Sequence, residues 1–395
     1  MRIKKALFIF FAALFALSGC TKNVKQVQNP QNESTQKQKI SAESKRISKL
    51  YHHIYEKGNQ EKTLNTIGVK REIADCIGKE GYAVIDTENR IDMVNAKQIE
   101  EFCIAAKTGN KAEATILLLM DDGGFLRYDL EAEDGNMKVN TSSLRWEKQE
   151  AEVDYFEEYE AYTWAYTEKG YLFIEQYHMS GYDGPPGQIG IRVKPVDPIC
   201  RELNQEYVLP IGYERNKLLI TEWNEHDFSQ LDFYDLYEIM YPMKYGSYVP
   251  YDHEYGGTEY EIPKAEFEEV IKTYFQIDSS VLESMAVYHS DSETYRYRPR
   301  GQYDAEFPYE PYSEVTAYEN REDGTIKLTV EAVWIREKLE RAMSSELIVR
   351  PLADGGVQYV SNHLVSFAEG SKAKWYCERL TDEEWNKYYP NIDSN

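Results

Sequence analysis

The sequence is short of basic charge, of cysteine and of catalytic signatures, and each shortage closes a class of function. Its 395 residues hold 45 Lys and Arg against 68 Asp and Glu, a net charge of −23, so nucleic acid, anionic lipid and anionic wall polymers all repel it. The five cysteines are far apart and include no CxxC or Cys/His spacing suited to zinc. The seven histidines form no HExxH. His53 and Glu56 lie three apart, as a chance pair on a helix surface also would. There is no GxSxG, and no SxxK in a context suited to a nucleophile. The acidic turns at 121–124, 252–257 and 322–324 carry Asp and Gly where turns need them. They have neither the alternating oxygen ligands nor the closing glutamate of an EF-hand. These absences predict no cofactor, no metal site and no recognisable catalytic residue.

Long apolar runs are scarce as well. After residue 20 the longest stretch of large aliphatics is 116–120 (ILLLM), which is strand-sized. The exception stands at the start of the chain. Arg2, Lys4 and Lys5 precede an apolar run at 6–17 that is short for a membrane span, and Leu17-Ser18-Gly19-Cys20 closes it with small residues before a cysteine. This is a lipobox, similar to the site where lipoprotein maturation joins a diacylglycerol to the cysteine thiol and cleaves before it. Two acyl chains hold a protein stably where one holds it marginally, at about 0.8 kcal/mol per buried methylene. The expectation is a signal peptide at 1–19, lipidation at Cys20 and a place on the extracytoplasmic face of the cell membrane. Residues 1–40 hold seven basic residues against one acidic, so the rest of the chain carries six charges more than the net −23. Membrane contact is then left to the lipid alone.

Residues 20–40, rich in Gln, Asn, Lys and Ser, lack the large apolar side chains needed to fold and read as a disordered tether. Two domains are expected beyond it, at 41–257 and 258–395. Ile47, Leu50, Tyr51 and Ile54 mark a helix at 41–56, and helical spacing recurs at 67–77 and 96–106, where Ile99, Phe102, Cys103 and Ala106 share a face. Strands follow at 114–120, 125–131 and 137–146, joined by Gly-bearing turns, with a hairpin of 159–167 and 171–178 and a strand at 189–194. Asp197 and Pro198 open a helix through residue 207. Residues 218–223 read as a strand and 231–241 as a helix. Beyond 258, Phe267, Val270, Ile271 and Tyr274 mark a helix that starts at Pro263, and Asp278 caps another. Paired strands at 315–320 and 326–334, then 346–351 and 357–362, complete the chain. Links this short favour antiparallel sheets, so the class is α+β, two antiparallel sheets each with helices on one face.

Two surfaces stand out as binding candidates. In the hairpin, Tyr162, Trp164 and Tyr166 share one face of a strand, with Tyr171, Phe173 and Tyr177 opposite. They form either an aromatic platform for a glycan or peptide, or core. Arg296, Arg298 and Arg300 alternate as a basic stripe suited to a carboxylate or phosphate, or to pairing with the protein's own acid. Cys76, Cys103 and Cys200 lie on helix faces and, with Cys377, read as unpaired thiols.

Residues 88–95 (ENRIDMVN), 122–130 (DGGFLRYDL), 168–173 (EKGYLF), 262–275, 297–301 (YRPRG) and 349–352 (VRPL) resemble a family of uncharacterised lipoproteins from clostridial Gram-positive bacteria, over about residues 60–390. The helix and meander of 90–146 are also similar to small lipoprotein domains of unknown function. The resemblance implies a Gram-positive cell surface and supplies no catalytic residue. The functional expectation is a membrane-anchored, extracytoplasmic, non-catalytic binding or interaction protein, partnered by a glycan, a peptide or an envelope protein. The alternative is an exported hydrolase whose acid residues are gathered only by folding.

Overall fold

The structure, a computed structural model, describes residues 30–390 apart from 183, 185, 252–255, 305–308, 369 and 371–372. The expected signal peptide and Cys20 lie outside the described residues. The protein is α+β, with helices packed on mostly antiparallel sheets.

Helix α1 (Pro30–Leu50) leads into α2 (His52–Glu61) and α3 (Ile67–Gly78). α1 begins inside the segment expected to be tether up to residue 40. Its Gln, Lys and Glu lose little rotamer freedom in a helix, and the helix propagates outward from a docked end where Ile47 is fully buried. Next, β1 (Ala83–Asp86), α4 (Ala96–Lys107) and β2 (Ala112–Leu119) make a parallel crossover with Ala83 opposite Ile116. Among the described residues this is the one exception to the expected antiparallel pairing, and the helical link is long enough to allow it. Strands β3 (Phe125–Glu133), β4 (Asn136–Glu147) and β5 (Glu150–Glu160) extend the sheet as an antiparallel meander.

A second sheet, β6 (Thr163–Tyr166), β7 (Tyr171–Glu175) and β8 (Gln188–Arg192), holds the fold together. Its middle strand is apolar on both faces. Leu172 and Ile174 enter the first core, while Tyr171 and Phe173 turn away and pack on Val333. Gly190 lies beside this seam. A Cβ there would sit 2.8 Å from Ile335 Cγ1 and 2.9 Å from Phe173 Cε1, so no larger residue fits without displacement.

The rest of the chain builds a second core. It comprises α5 (Pro198–Leu203), β9 (Trp223–Asn224), α6 (Phe233–Tyr245), β10 (Tyr260–Pro263), α7 (Lys264–Tyr274), α8 (Ser279–Met285), β11 (Tyr288–His289), β12 (Thr294–Tyr297), β13 (Tyr312–Asn320), β14 (Ile326–Trp334), β15 (Leu339–Pro351), β16 (Val357–Phe367) and α9 (Asp382–Tyr388). Its sheets run β10-β12-β11 and β13-β14-β15-β16-β9. The first core runs from Ile47 to Val193 and the second from Cys200 to Trp375. The cores therefore change over near residues 193–200 and not at 257, because α5, α6 and β9 bury their apolar faces against the later strands. β9 is all that forms of the strand expected at 218–223.

Buried phenols lean on carboxylates throughout this core. Tyr237 donates to Glu266 at 2.7 Å, Tyr295 to Glu268 at 2.9 Å and Tyr297 to Glu238 at 2.8 Å. Cys76, Cys103, Cys200 and Cys377 are all free. Burial pushes the Cys103 thiol up to about 12 and Cys200 up to about 11, which keeps them protonated and unreactive at neutral pH. Denatured without reductant, the chain beyond residue 20 should yield four reactive thiols. In the native protein Cys103 and Cys200 should resist alkylation. Finding no thiols would establish two bridges instead.

Candidate functional site

The two cores meet along a cleft whose walls come from segments far apart in sequence. The loop after β1 is pinned by Asn89, which adopts a left-handed backbone (φ 56°). Its side chain donates to Gly190 O at 2.9 Å and accepts from Arg192 N at 2.8 Å. Across the gap, Asp197 caps α5 by accepting from Ile199 N and Cys200 N, each at 3.0 Å, with Pro198 preset for the first turn. Arg201 on α5 is buried, donates to Asn89 O at 3.0 Å and pairs with Asp92. Gln205 donates to Arg90 O at 2.8 Å. After Leu203 the helix widens into a π turn at Asn204–Val208, a distortion that often accompanies functional sites.

Behind the cleft, Glu314 of β13 accepts from the Tyr171 hydroxyl and pairs with Arg192 Nε at 3.0 Å. The Arg192 guanidinium lies 4.7 Å from the centre of the Tyr171 ring. This buried triad ties β7 and β8 to the second core.

The cleft encloses about 480 Å³, within the range of small-ligand pockets. Arg90 is occupied by Glu88 at 2.7 Å, and Arg201 and Glu314 are occupied as above. Glu214, which is exposed, and Glu310, which is half-buried, also stand in the wall and form no ion pair among the described residues. Burial raises the Glu310 carboxyl above its ordinary range and the charge of Glu214 adds to this, while a backbone hydrogen bond and Arg215 oppose it. Tyr213 and Ser313 line the same wall at 2% and 3% exposure, and neither hydroxyl has a partner.

The residues expected from sequence lie elsewhere. Tyr162 is 63% exposed, its ring 5.5 Å from that of the equally exposed Tyr177. Trp164 is half-buried and donates Nε1 to Gly135 O at 3.0 Å, and Tyr166 is buried. Strand alternation does put the three on one face, but that face slides under the first core, so they do not form one platform.

Of the arginines, Arg296 and Arg298 converge on Asp382 at 2.8 and 2.5 Å, with Arg298 also on Glu259 at 2.6 Å. Arg300 turns inward instead. It grips Asp235 through Nε and Nη2, both at 2.8 Å, where Arg379 and Tyr376 also donate, at 2.7 and 2.8 Å. The stripe is thus committed to the protein's own acid.

Sequence reading missed Asp235 and the cleft carboxylates. Asp235 had a visible sign, since it stands among the buried residues Phe233, Leu236 and Tyr237 of α6. Glu214 and Glu310 had none, because nothing local marks them. Among the described residues, no group of three or more His, Cys, Asp or Glu could hold a metal ion, and no helix is long and apolar enough to cross a membrane.

Fold and site together define an α+β protein of two cores joined by a shared strand and enclosing a polar cleft. The chain belongs to a family of unknown function (DUF6070), whose model matches residues 37–379. No curated protein and no solved structure matches it.

Proposed function

We propose that this protein is a lipid-anchored, extracytoplasmic binding protein of the cell membrane, and that its ligand occupies the cleft between the cores. The lipobox at Leu17–Cys20 supports the location. The observation that carries the binding reading is the cleft itself, a cavity of small-ligand size whose wall holds Glu214, Glu310 and the buried, unpartnered hydroxyls of Tyr213, Tyr312 and Ser313. A concave cavity of this size, with a few polar groups set in a partly apolar wall, has the make-up of a small-molecule site.

Anchoring is checked by detergent phase partitioning and mass spectrometry. Wild type should carry two acyl chains on Cys20 and enter the detergent phase. Cys20→Ala should keep its leader and carry no lipid. An unmodified Cys20 in membrane-extracted wild type overturns the anchor. Binding is checked by native mass spectrometry of the membrane-purified protein. A small molecule should accompany wild type and be lost from Leu209→Trp, a change at an exposed position of the cleft wall. If none accompanies wild type, the binding reading fails.

The hydrolase alternative is favoured by one observation, that Glu214 and Glu310 stand in one cleft wall, since paired carboxylates serve as acid and base in many hydrolases. In that case Glu310→Gln would retain the bound molecule and stop its turnover.

A further inference from the structure

Five large side chains stand out of the surface between Tyr155 and Tyr182. Tyr155, Tyr162, Tyr177 and Tyr182 are exposed, and Met179 is exposed at 77%. They form one patch. The Tyr162 and Tyr177 rings lie 5.5 Å apart, and the His178 and Tyr182 rings stack at 4.0 Å. Glu157 ties strand to loop by accepting from the Tyr155 hydroxyl and from Gln176 Nε2, the latter at 2.7 Å. Single exposed apolar residues are ordinary, whereas a contiguous patch marks a surface that something covers.

The course of α1 says what. Lys45 meets Glu152 at 2.7 Å, and Gln36, Lys37 and Ile40 share a groove with Phe156, Glu157 and Glu158. α1 therefore runs antiparallel to β5. Its N-terminus points past Glu160, toward the end of the strand where Tyr162 N donates to Glu175 O at 2.7 Å. Pro30, where α1 starts, is the tenth residue after Cys20. Ten residues span about 17 Å as a relaxed coil and at most about 35 Å stretched, against a radius of gyration of about 21 Å for a compact body of this size. A lipid on Cys20 brings this end of the body to the bilayer, and not its far side.

We infer that the patch of Tyr155, Tyr162, Tyr177, Met179 and Tyr182 seats on the headgroup layer of the membrane that holds the anchor. Charge gives the acidic body no hold on lipid. Tyrosine needs none, since its ring enters the apolar boundary while its hydroxyl stays hydrated. Met179, unbranched and flexible, can follow an irregular lipid surface. Glu157 and Glu175 beneath the patch are already answered, by Gln176 and by Lys338, so seating strips neither of its partner. The patch need not bind by itself, because the anchor keeps it at the surface at high effective concentration. The inference rests on the lipid anchor of the proposed function.

The test uses the mature lipoprotein in phosphatidylcholine vesicles, with and without brominated acyl chains, which quench tryptophan on contact. Tyr177→Trp reports from the patch. Glu150→Trp reports from an exposed position at the other end of β5, about 30 Å away, and wild type supplies the background of the native tryptophans. Side chains at the boundary of headgroups and acyl chains sit about 5–10 Å deep, so the emission added by Tyr177→Trp should fall by at least about half on brominated lipid. The emission added by Glu150→Trp should not change. Adding Met179→Asp to Tyr177→Trp should restore the emission, because a charge in the patch resists entry into the boundary. All three positions are exposed, and circular dichroism confirms that each variant is folded. Unquenched Tyr177→Trp emission from protein that floats with the vesicles overturns the seat and leaves the anchor standing. Equal quenching of Glu150→Trp, or quenching that survives Met179→Asp, also overturns it, since nearness to lipid then explains the signal. Protein that fails to float with the vesicles defeats anchor and seat together.

Discussion

Asp235→Ala is expected to destabilise the second core by about 3–5 kcal/mol, the range for breaking a buried ion pair by removing one partner. Asp235 has no solvent exposure. It answers the guanidinium of Arg300 through both oxygens, the Arg379 Nε and the Tyr376 hydroxyl. Without it, two buried guanidiniums face each other with only Glu238 and Asp232 near Arg379. The pH dependence has a definite sign. Burial alone would raise the Asp235 carboxyl, but the charges of Arg379 and Arg300 and the Tyr376 hydrogen bond outweigh it and hold it below the ordinary aspartate value. A carboxyl depressed in the folded state stabilises above its unfolded pKa, near 4, and that contribution is lost as pH falls through the folded value. In urea melts the gap between wild type and Asp235→Asn should therefore be full at neutral pH and close progressively below about pH 4. A gap under about 1 kcal/mol at neutral pH, the scale of a surface pair, would show that the network is solvated.

Glu314→Ala should be comparably severe, at about 3–5 kcal/mol, and should change the form of unfolding as well as its midpoint. The residue closes the triad with Tyr171 and Arg192, and burial already holds the Tyr171 phenol well above its ordinary range. Its loss leaves Arg192 buried beside an unanswered hydroxyl at the seam between the cores. Because β7 feeds the first core on one face and packs on Val333 of β14 on the other, wild type should melt in one calorimetric transition. The variant should melt earlier and resolve into two, as docking between units weakens more than either unit. A single transition at the wild-type temperature would assign the coupling to the apolar contacts of Tyr171, Phe173 and Val333 alone.

What could be read from the chain, and what could not, divides by distance along it. The helix carrying Ile99, Phe102 and Cys103 and the meander after it follow from local periodicity and from turns at Gly123 and Gly135, whose φ values of 80° and 82° demand glycine. β1 escaped because a four-residue apolar run has no period to detect, and its partner β2 lies beyond a whole helix. The core changeover escaped for a related reason. The glycine-bearing stretch before 258 looks like a linker, yet what assigns residues 200–257 to the second core is tertiary, as in β9 pairing with β16. The basic stripe was visible as composition, but the acids that claim it, Asp382 and Asp235, come from opposite directions along the chain. The cleft is the extreme case, since no window of sequence contains two of its walls.

The pairing of tyrosine with carboxylate has an electrostatic corollary. An acid satisfied by lysine loses its outward field, whereas one satisfied by a neutral phenol keeps it. Glu266, which accepts from Tyr237 and Tyr251 and pairs with no cation among the described residues, keeps its field in this way, while Glu268 and Glu238 share theirs with Lys272 and Arg379, and the body as a whole stays strongly anionic. Copies held at one surface would repel one another laterally within a screening length of about 8 Å at physiological salt. Dispersal becomes their default, and gathering them calls for a cation that two copies can share.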